Sequence, residues 1–259
     1  MMHSIWTAAT GMQAQQMRID AIANNLANVN TTSYKKGTVE FQDLLYQQIQ
    51  NPGIETAGVQ IGLGVQPVAI TKYHAQGNLQ ITNNALDMAI DGAGFFRVIA
   101  NDAAGSSAYT RDGSFKVDAD GNIVTSTGER LDPPIQIGEG VTDIKIRENG
   151  AIFARLPGAT VQTQIGQSIV LFTFANPAGL QSIGNNLYRE TIASGIPNQG
   201  QPGSPAGHGV IRQGALETSN VELVTEMVMM IATQKSYDTA AKAIQVSDRM
   251  MESTNQLVR

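Results

Sequence analysis

The sequence predicts an α+β fold: long N- and C-terminal α-helices that pair as a coiled-coil-like helical domain, with a β-rich domain inserted between them. Apolar residues recur at seven-residue steps at both ends, the period of a helix whose stripe faces another helix along its length. Every proline lies between Pro52 and Pro205, so neither end carries a residue that would break a helix. The middle instead holds short alternating apolar runs between glycine- and asparagine-containing turns. These features place the helical domain at residues 1–36 and 215–259, a linking segment at 37–70 and the β-rich domain at 71–214.

In the first helix, Ile5, Met12, Ile19 and Leu26 form one row, and Ala8, Ile22 and Val29 a second, interrupted only by Gln15. The helix is expected from about Ser4, whose hydroxyl suits an N-cap, to Val29, roughly 40 Å at ~1.5 Å per residue. Its only charges are Arg18 and Asp20. A solvated helix carries more charge, so this near-neutral one suits a position surrounded by other helices. It ends in NNLANVNTTSYKK, Asn24 to Lys36, where short polar side chains favour caps and turns. Thr38 to Gln50, with Val39, Phe41, Leu44, Leu45 and Ile49, is compatible with a short helix or with extended chain.

Val65, Val68 and Ile70 predict one strand, and Leu79 and Ile81 the start of another. TDIKIRENGAIFAR sets Asn149-Gly150 between two alternating runs, the signal of a two-residue hairpin loop. A second turn is expected at Asp120-Gly121, a buried strand at Ile169–Phe174, and a loop over Pro197–Gly209. The final helix is expected from Thr218 or Ser219 almost to Arg259, roughly 60 Å. Leu223, Met230, Tyr237, Ile244, Met251 and Val258 form its apolar row. Ser219 and Glu222 have the spacing of a capping box. Glu217, Glu222 and Glu226 lie where the helix dipole favours negative charge, and Arg249 and Arg259 lie towards the opposite end.

Composition excludes several classes of function. Net charge is −5 and no basic cluster exceeds Lys35-Lys36, so no basic face for nucleic acid is readable. No apolar run approaches the ~20 residues of a membrane span, and the N-terminus does not read as a secretory signal. Cysteine is absent, which removes disulfides and thiolate sites. His3, His74 and His208 lie far apart and read as ordinary surface or core residues. Asp118, Asp120 and Asn122 briefly resemble a calcium loop, but Gly121 comes too early and no closing glutamate follows. Gly62-Leu63-Gly64 and Gly92-Ala93-Gly94 are too short for a dinucleotide fingerprint. No catalytic, cofactor or metal residue is assigned, and the chain reads as a non-enzyme without a small-molecule substrate.

Four stretches carry a family resemblance. ANNLANVNTTSYKK (Ala23–Lys36) resembles the signature of bacterial flagellar axial proteins, rod and hook subunits alike, with Asn24, Asn25, Asn28, Thr32, Tyr34 and Lys35 at its signature positions. LDMAIDGAGFF (Leu86–Phe96) is similar to a motif that these subunits share, and Leu216–Gln245 to their C-terminal segment. YTRDGSFKVDADG (Tyr109–Gly121) and LQSIGNNLYRET (Leu180–Thr191) point more narrowly to the distal-rod members of the basal-body rod family. Two departures stand out: Ser33 occupies a position where the family usually has glycine, and Tyr46–Gln60 looks shorter than the corresponding distal-rod stretch.

The resemblance implies a structural subunit of the distal rod, located in the basal body outside the cytoplasmic membrane, in the periplasm or cell-wall region. It implies a helical homopolymer that transmits motor torque to the hook. It also implies contact with proximal-rod and hook subunits, with rod-capping and ring proteins, and with the flagellar export apparatus. The apolar rows named above, Ala8 aside, are then the expected subunit-interaction residues. A proximal-rod or hook subunit is the near alternative, the hook being disfavoured by the short chain. A carbohydrate-binding β-domain on a helical stalk is the alternative of another class, and the scarcity of tryptophan opposes it.

Overall fold

The computed structural model describes residues 2–50, 58–100, 105–138, 141, 143–155, 162–205 and 207–257. The protein is α+β, with one helix at each end and a β-rich middle. It divides into two compact units: Met1–Val29, Lys36–Tyr73 and Val221–Arg259 form the first, and Asn30–Lys35 with His74–Asn220 the second.

The first unit holds α1 (Met2–Ala27), β1 (Gly37–Asp43), β2 (Tyr46–Gln50), β3 (Val59–Gly62), β4 (Val65–Lys72) and α2 (Leu223–Leu257). α1 already runs at Met2, so Ser4 lies inside the helix rather than capping it. It stops two residues short of Val29, where the Asn28 side-chain amide donates to Asn24 O at 2.9 Å and closes the last turn. α2 starts later than Ser219, its first turn being closed by Glu226 N donating to Glu222 O at 3.0 Å. Glu222 therefore occupies the capping position, and its carboxylate accepts from Thr225 Oγ1 at 2.8 Å. The stretch Thr38–Gln50, compatible with helix or extended chain, falls on β1 and β2, with Leu44 and Leu45 between them. Residues 37–70, expected to be a linking segment, group with the helices: β1 pairs antiparallel with β4, and β2 with β3.

The second unit holds β5 (Leu79–Ile81), β6 (Met88–Asp91), β7 (Phe96–Ile99), β8 (Ser107–Thr110), β9 (Lys116–Val117) and β10 (Ile123–Val124). It continues with β11 (Arg130–Asp132), β12 (Asp143–Ile146), β13 (Ile152–Arg155), β14 (Thr163–Gln164) and β15 (Leu171–Thr173). The last five strands are β16 (Gln181–Gly184), β17 (Leu187–Arg189), β18 (Asn198–Gly200), β19 (Val210–Gln213) and β20 (Ala215–Glu217). The main sheet has the order β16-β17-β8-β7-β11-β10-β9, all antiparallel; a three-stranded sheet (β12-β13-β14) and the pairs β15-β18, β19-β6 and β20-β5 complete the unit. β18 lies inside Pro197–Gly209, which is therefore not loop throughout. Adjacent side chains on extended chain point to opposite faces, and Phe95-Phe96 shows the result. Phe96 enters an aliphatic core with Met88, Ile90, Val98, Leu131 and Ile152. Phe95 joins an aromatic cluster with Tyr109, Phe172, Phe174 and Tyr188.

The hairpin at Asn149-Gly150 forms, with a loop of three residues rather than two. Arg147 and Ala151 still pair, and Gly150, at φ +81°, closes the loop. The same arrangement recurs at Gly121 and Gly128, where the third loop residue must adopt positive φ, which favours glycine. The two-residue loop lies instead at Asn185-Asn186, with φ +52° and +59°, as a type I′ turn requires. At Gly150 an added Cβ would lie 2.4 Å from Ile169 O. Gly150→Ala is thus expected to destabilise the protein by at least about 1–2 kcal/mol. Urea denaturation checks this, and an unchanged midpoint would mean that the loop tolerates a side chain there.

Candidate functional site

The two terminal helices contact each other within the first unit and run antiparallel. Asn25, late in α1, meets Glu226, early in α2, while His3–Gly11 line the same groove as Ser236–Ala243. Of the residues expected to interact, Ile22 is buried, whereas Ile5, Met12, Ile19, Leu26 and Val29 are half-buried. On α2, Met230, Tyr237, Ile244 and Met251 are half-buried; Leu223 is exposed, and Val258 lies outside the described residues. Hydrophobicity missed a second α2 row. Glu226 and Thr233 are buried and Ala240 and Ser247 half-buried, interleaving with the apolar row at steps of three and four residues. These side chains are polar or small, so only the spacing could have revealed them.

Asn25 explains why an acid can sit in this row. Its Nδ2 donates to Glu226 Oε2 at 3.3 Å and to Gly37 O at 3.0 Å, and its Oδ1 accepts from Gly37 N at 2.9 Å. Lys36 Nζ stands 3.9 Å from Glu226 Oε1. Glu226 also lies in the first turn of α2, where the helix dipole favours a carboxylate. Buried polar partners of this kind are satisfied in one register only, so a slip of the helices would strand both groups.

In the second unit, the segment Asn30–Lys35 is fastened residue by residue. Thr32 Oγ1 donates to Asp112 Oδ2 at 3.1 Å, and Thr32 O accepts from Asn186 Nδ2 at 3.1 Å. Ser33 adopts a left-handed φ of +54°, donating its N–H to Glu217 O and its Oγ–H to Arg111 O, both at 2.8 Å. Tyr34 is buried, and its carbonyl accepts from Asn220 N at 3.3 Å. Lys35 is fully buried, with Nζ 2.5 Å from Glu217 Oε1 and 2.8 Å from Ala75 O. Glu217 also accepts from Gly77 N and Arg111 Nε, each at 2.8 Å, and Arg111 donates to Gly92 O at 2.9 Å. Burial pulls the Lys35 ammonium below the ordinary lysine range, while the Glu217 carboxylate opposes the shift. The signature residues of the sequence are thus mostly structural fasteners. Asn25 fixes the helix pair, Asn24 and Asn28 close α1, and Thr32, Tyr34 and Lys35 seat the segment that follows.

Among the described residues no group of three or more His, Cys, Asp or Glu can hold a metal, and no helix is long and apolar enough to cross a membrane.

Three family models match the chain: "Flagella basal body rod protein" over residues 5–35, "Flagellar hook protein FlgE/F/G D1 domain" over 89–154, and "Flagellar basal body rod FlgEFG protein C-terminal" over 212–257. The flagellar basal-body rod protein FlgG of Buchnera aphidicola subsp. Acyrthosiphon pisum is 44% identical over 264 residues, spanning 99% of this chain and 100% of its own. That of Borreliella burgdorferi is 44% identical over 268 residues, spanning 100% of both. The flagellar hook protein FlgE of Treponema pallidum is 43% identical over only 130 residues, 48% of this chain and 27% of the hook protein. Similarity to the rod proteins therefore runs end to end, and similarity to the hook protein does not.

Replacing Glu217 by Gln leaves two buried cations without a carboxylate, and Glu217→Gln is expected to lower stability by about 3–5 kcal/mol. Ser33→Ala loses one buried hydrogen bond, about 0.5–1.5 kcal/mol. Ser33→Gly loses the same bond but relieves a left-handed strain of about 1–2 kcal/mol, so it should be nearly neutral. Denaturant midpoints of the three variants test this order. A Ser33→Gly variant as weak as Glu217→Gln would refute it.

Proposed function

The chain belongs to the flagellar basal-body rod protein family, and we propose that many copies of it build the distal rod as a straight helical tube transmitting motor torque to the hook. It is a structural subunit rather than an enzyme, and a component of the flagellar basal body. We place it outside the cytoplasmic membrane, between proximal-rod and hook subunits, with rod-capping and ring proteins and the export apparatus as its transient or peripheral partners.

The observation that carries this reading is the surplus of apolar surface on α2. Beyond its half-buried row, Val224, Met227, Val228 and Ile231 are 48–67% exposed at helical spacing. A helix apolar on more than one face is at home only where each face is covered. In this proposal α1 and α2 pair through a coiled-coil-like seam. The seam residues are Ile5, Met12, Ile19, Ile22, Leu26 and Val29 against Met230, Tyr237, Ile244 and Met251, with Val258 continuing the row in sequence. Leu223 joins the outer stripe, which the helices of neighbouring copies cover. Each contact is shallow, and rigidity comes from repeating it along the tube.

A single amphipathic helix is marginal in water. α1 and α2 are therefore expected to order fully only as neighbours arrive, while the second unit folds on its own core. Proline at position 22 would remove a helical hydrogen bond at the seam. Ile22→Pro should abolish rod assembly, seen as truncated basal bodies by electron microscopy, while the purified chain keeps the near-ultraviolet circular dichroism of its packed aromatic cluster. Loss of that signal in the variant would refute this division of labour.

A further inference from the structure

We infer that the second unit carries a knob and a socket for its own kind: the turn bearing Ile192 and Ile196 of one copy enters the cavity lined by Ala93, Phe95, Phe174 and Pro177 of the next. This contact rests on the rod-assembly reading and adds to it a site away from the terminal helices.

The knob is unusual in being both apolar and rigid. Ile192 and Ile196 have relative exposures of 105% and 89%, so folding hides essentially none of either side chain. Yet the turn between them is tightly held. Ser194 is fully buried, its Oγ donating to Thr191 O at 2.8 Å and accepting from Thr191 N at 3.0 Å. Thr191 Oγ1 donates to Gly179 O at 2.6 Å, and Asn176 Nδ2 donates to Ala193 O at 3.2 Å. A preorganised apolar anchor loses little freedom on binding, which is the property of an interface hot spot.

The socket is a cavity of about 230 Å³ whose lining also includes His74, Gln76 and Arg111. An apolar cavity of about 150 Å³ accommodates a benzene ring, so this one has room for a branched aliphatic side chain. Its wall residue Pro177 belongs to the same short turn, 176–179, to which the knob is fastened. At Gly179 the turns approach so closely that an added Cβ would lie 2.7 Å from Ala193 C and Ser194 N. The knob therefore cannot swing into its own socket, and the occupant must come from another molecule.

Matching shape and polarity support a second copy as that molecule. The knob is exposed and apolar, the socket is walled by Ala93, Phe95, Phe174 and Pro177, and the same chain presents both. Each copy carries both halves, and in the rod-assembly reading the contact runs head to tail, the arrangement that propagates as an open helical polymer.

The absence of native cysteine makes the test direct. Two differently tagged full-length chains, one with Ile192→Cys and one with Ala93→Cys, are co-expressed, and isolated basal bodies are oxidised. A mixed dimer carrying both tags is expected in the rods and not in soluble monomer, since disulfides need Cα atoms within about 7 Å. Rods containing both variants but giving no mixed dimer would overturn the inference. So would rods giving only Ile192→Cys pairs, or cross-links solely to a different protein. Absence of the unsubstituted chain from rods would instead sink the assembly reading beneath it. As a companion, the Ile192→Asp/Ile196→Asp double variant should melt like the parent, because both sites are exposed, yet enter rods roughly tenfold less. Undiminished incorporation would count against the knob.

Discussion

A single carboxylate organises the second unit. Glu217, fully buried, receives the Lys35 ammonium, the Arg111 guanidinium and the Gly77 amide. Those three partners come from places far apart in the chain. Desolvating three charges is unfavourable, and only complete satisfaction of their hydrogen bonds makes the cluster tolerable. Its value is specificity. The segment that follows α1 can lie in one place only, beside β20, the last strand before the approach to α2.

The remaining architecture follows from where apolar volume was available. The second unit buries large side chains from ten of its sixteen strands, in an aliphatic core and an aromatic cluster. Such a core supports an independent fold. In the first unit, the buried apolar side chains among the described residues are Ala14, Ile22 and Val221. So thin a core is the reason the proposed assembly has neighbouring copies cover the helices, and the Asn25–Glu226 pair supplies register rather than strength. A subunit with one self-sufficient part and one part completed by neighbours suits a polymer built one copy at a time.

The sequence was most legible where a single period or turn chemistry dominates. The seven-residue rows located both helices, because one-sided burial imposes that period on the helix itself. β4 and β5 followed from Val65, Val68, Ile70, Leu79 and Ile81. Boundaries were less legible. Ser219 and Glu222 have the spacing of a cap, yet Asn220 N is held by Tyr34 O and the helix begins only at Leu223. Asn149-Gly150 signalled the hairpin but not its loop length, because strand register decides whether glycine closes a two- or a three-residue loop. Thr38 to Gln50 was ambiguous between a short helix and extended chain until β4 gave β1 a partner.

The class of fold, the two terminal helices and the family resemblance could be read from the sequence alone. All of these rest on local periodicity or contiguous motifs. What the signature residues do became readable only in the folded chain. That Asn25 meets Glu226, that Lys35 and Arg111 share Glu217, and that Ser33 accepts a left-handed backbone depend on residues some 80 to 200 positions apart. The same holds for Ile192 and Ile196. An isoleucine in a sequence reads as core, and only the folded chain shows these two left outside, because the buried hydroxyl of Ser194 turns the backbone and directs them into solvent.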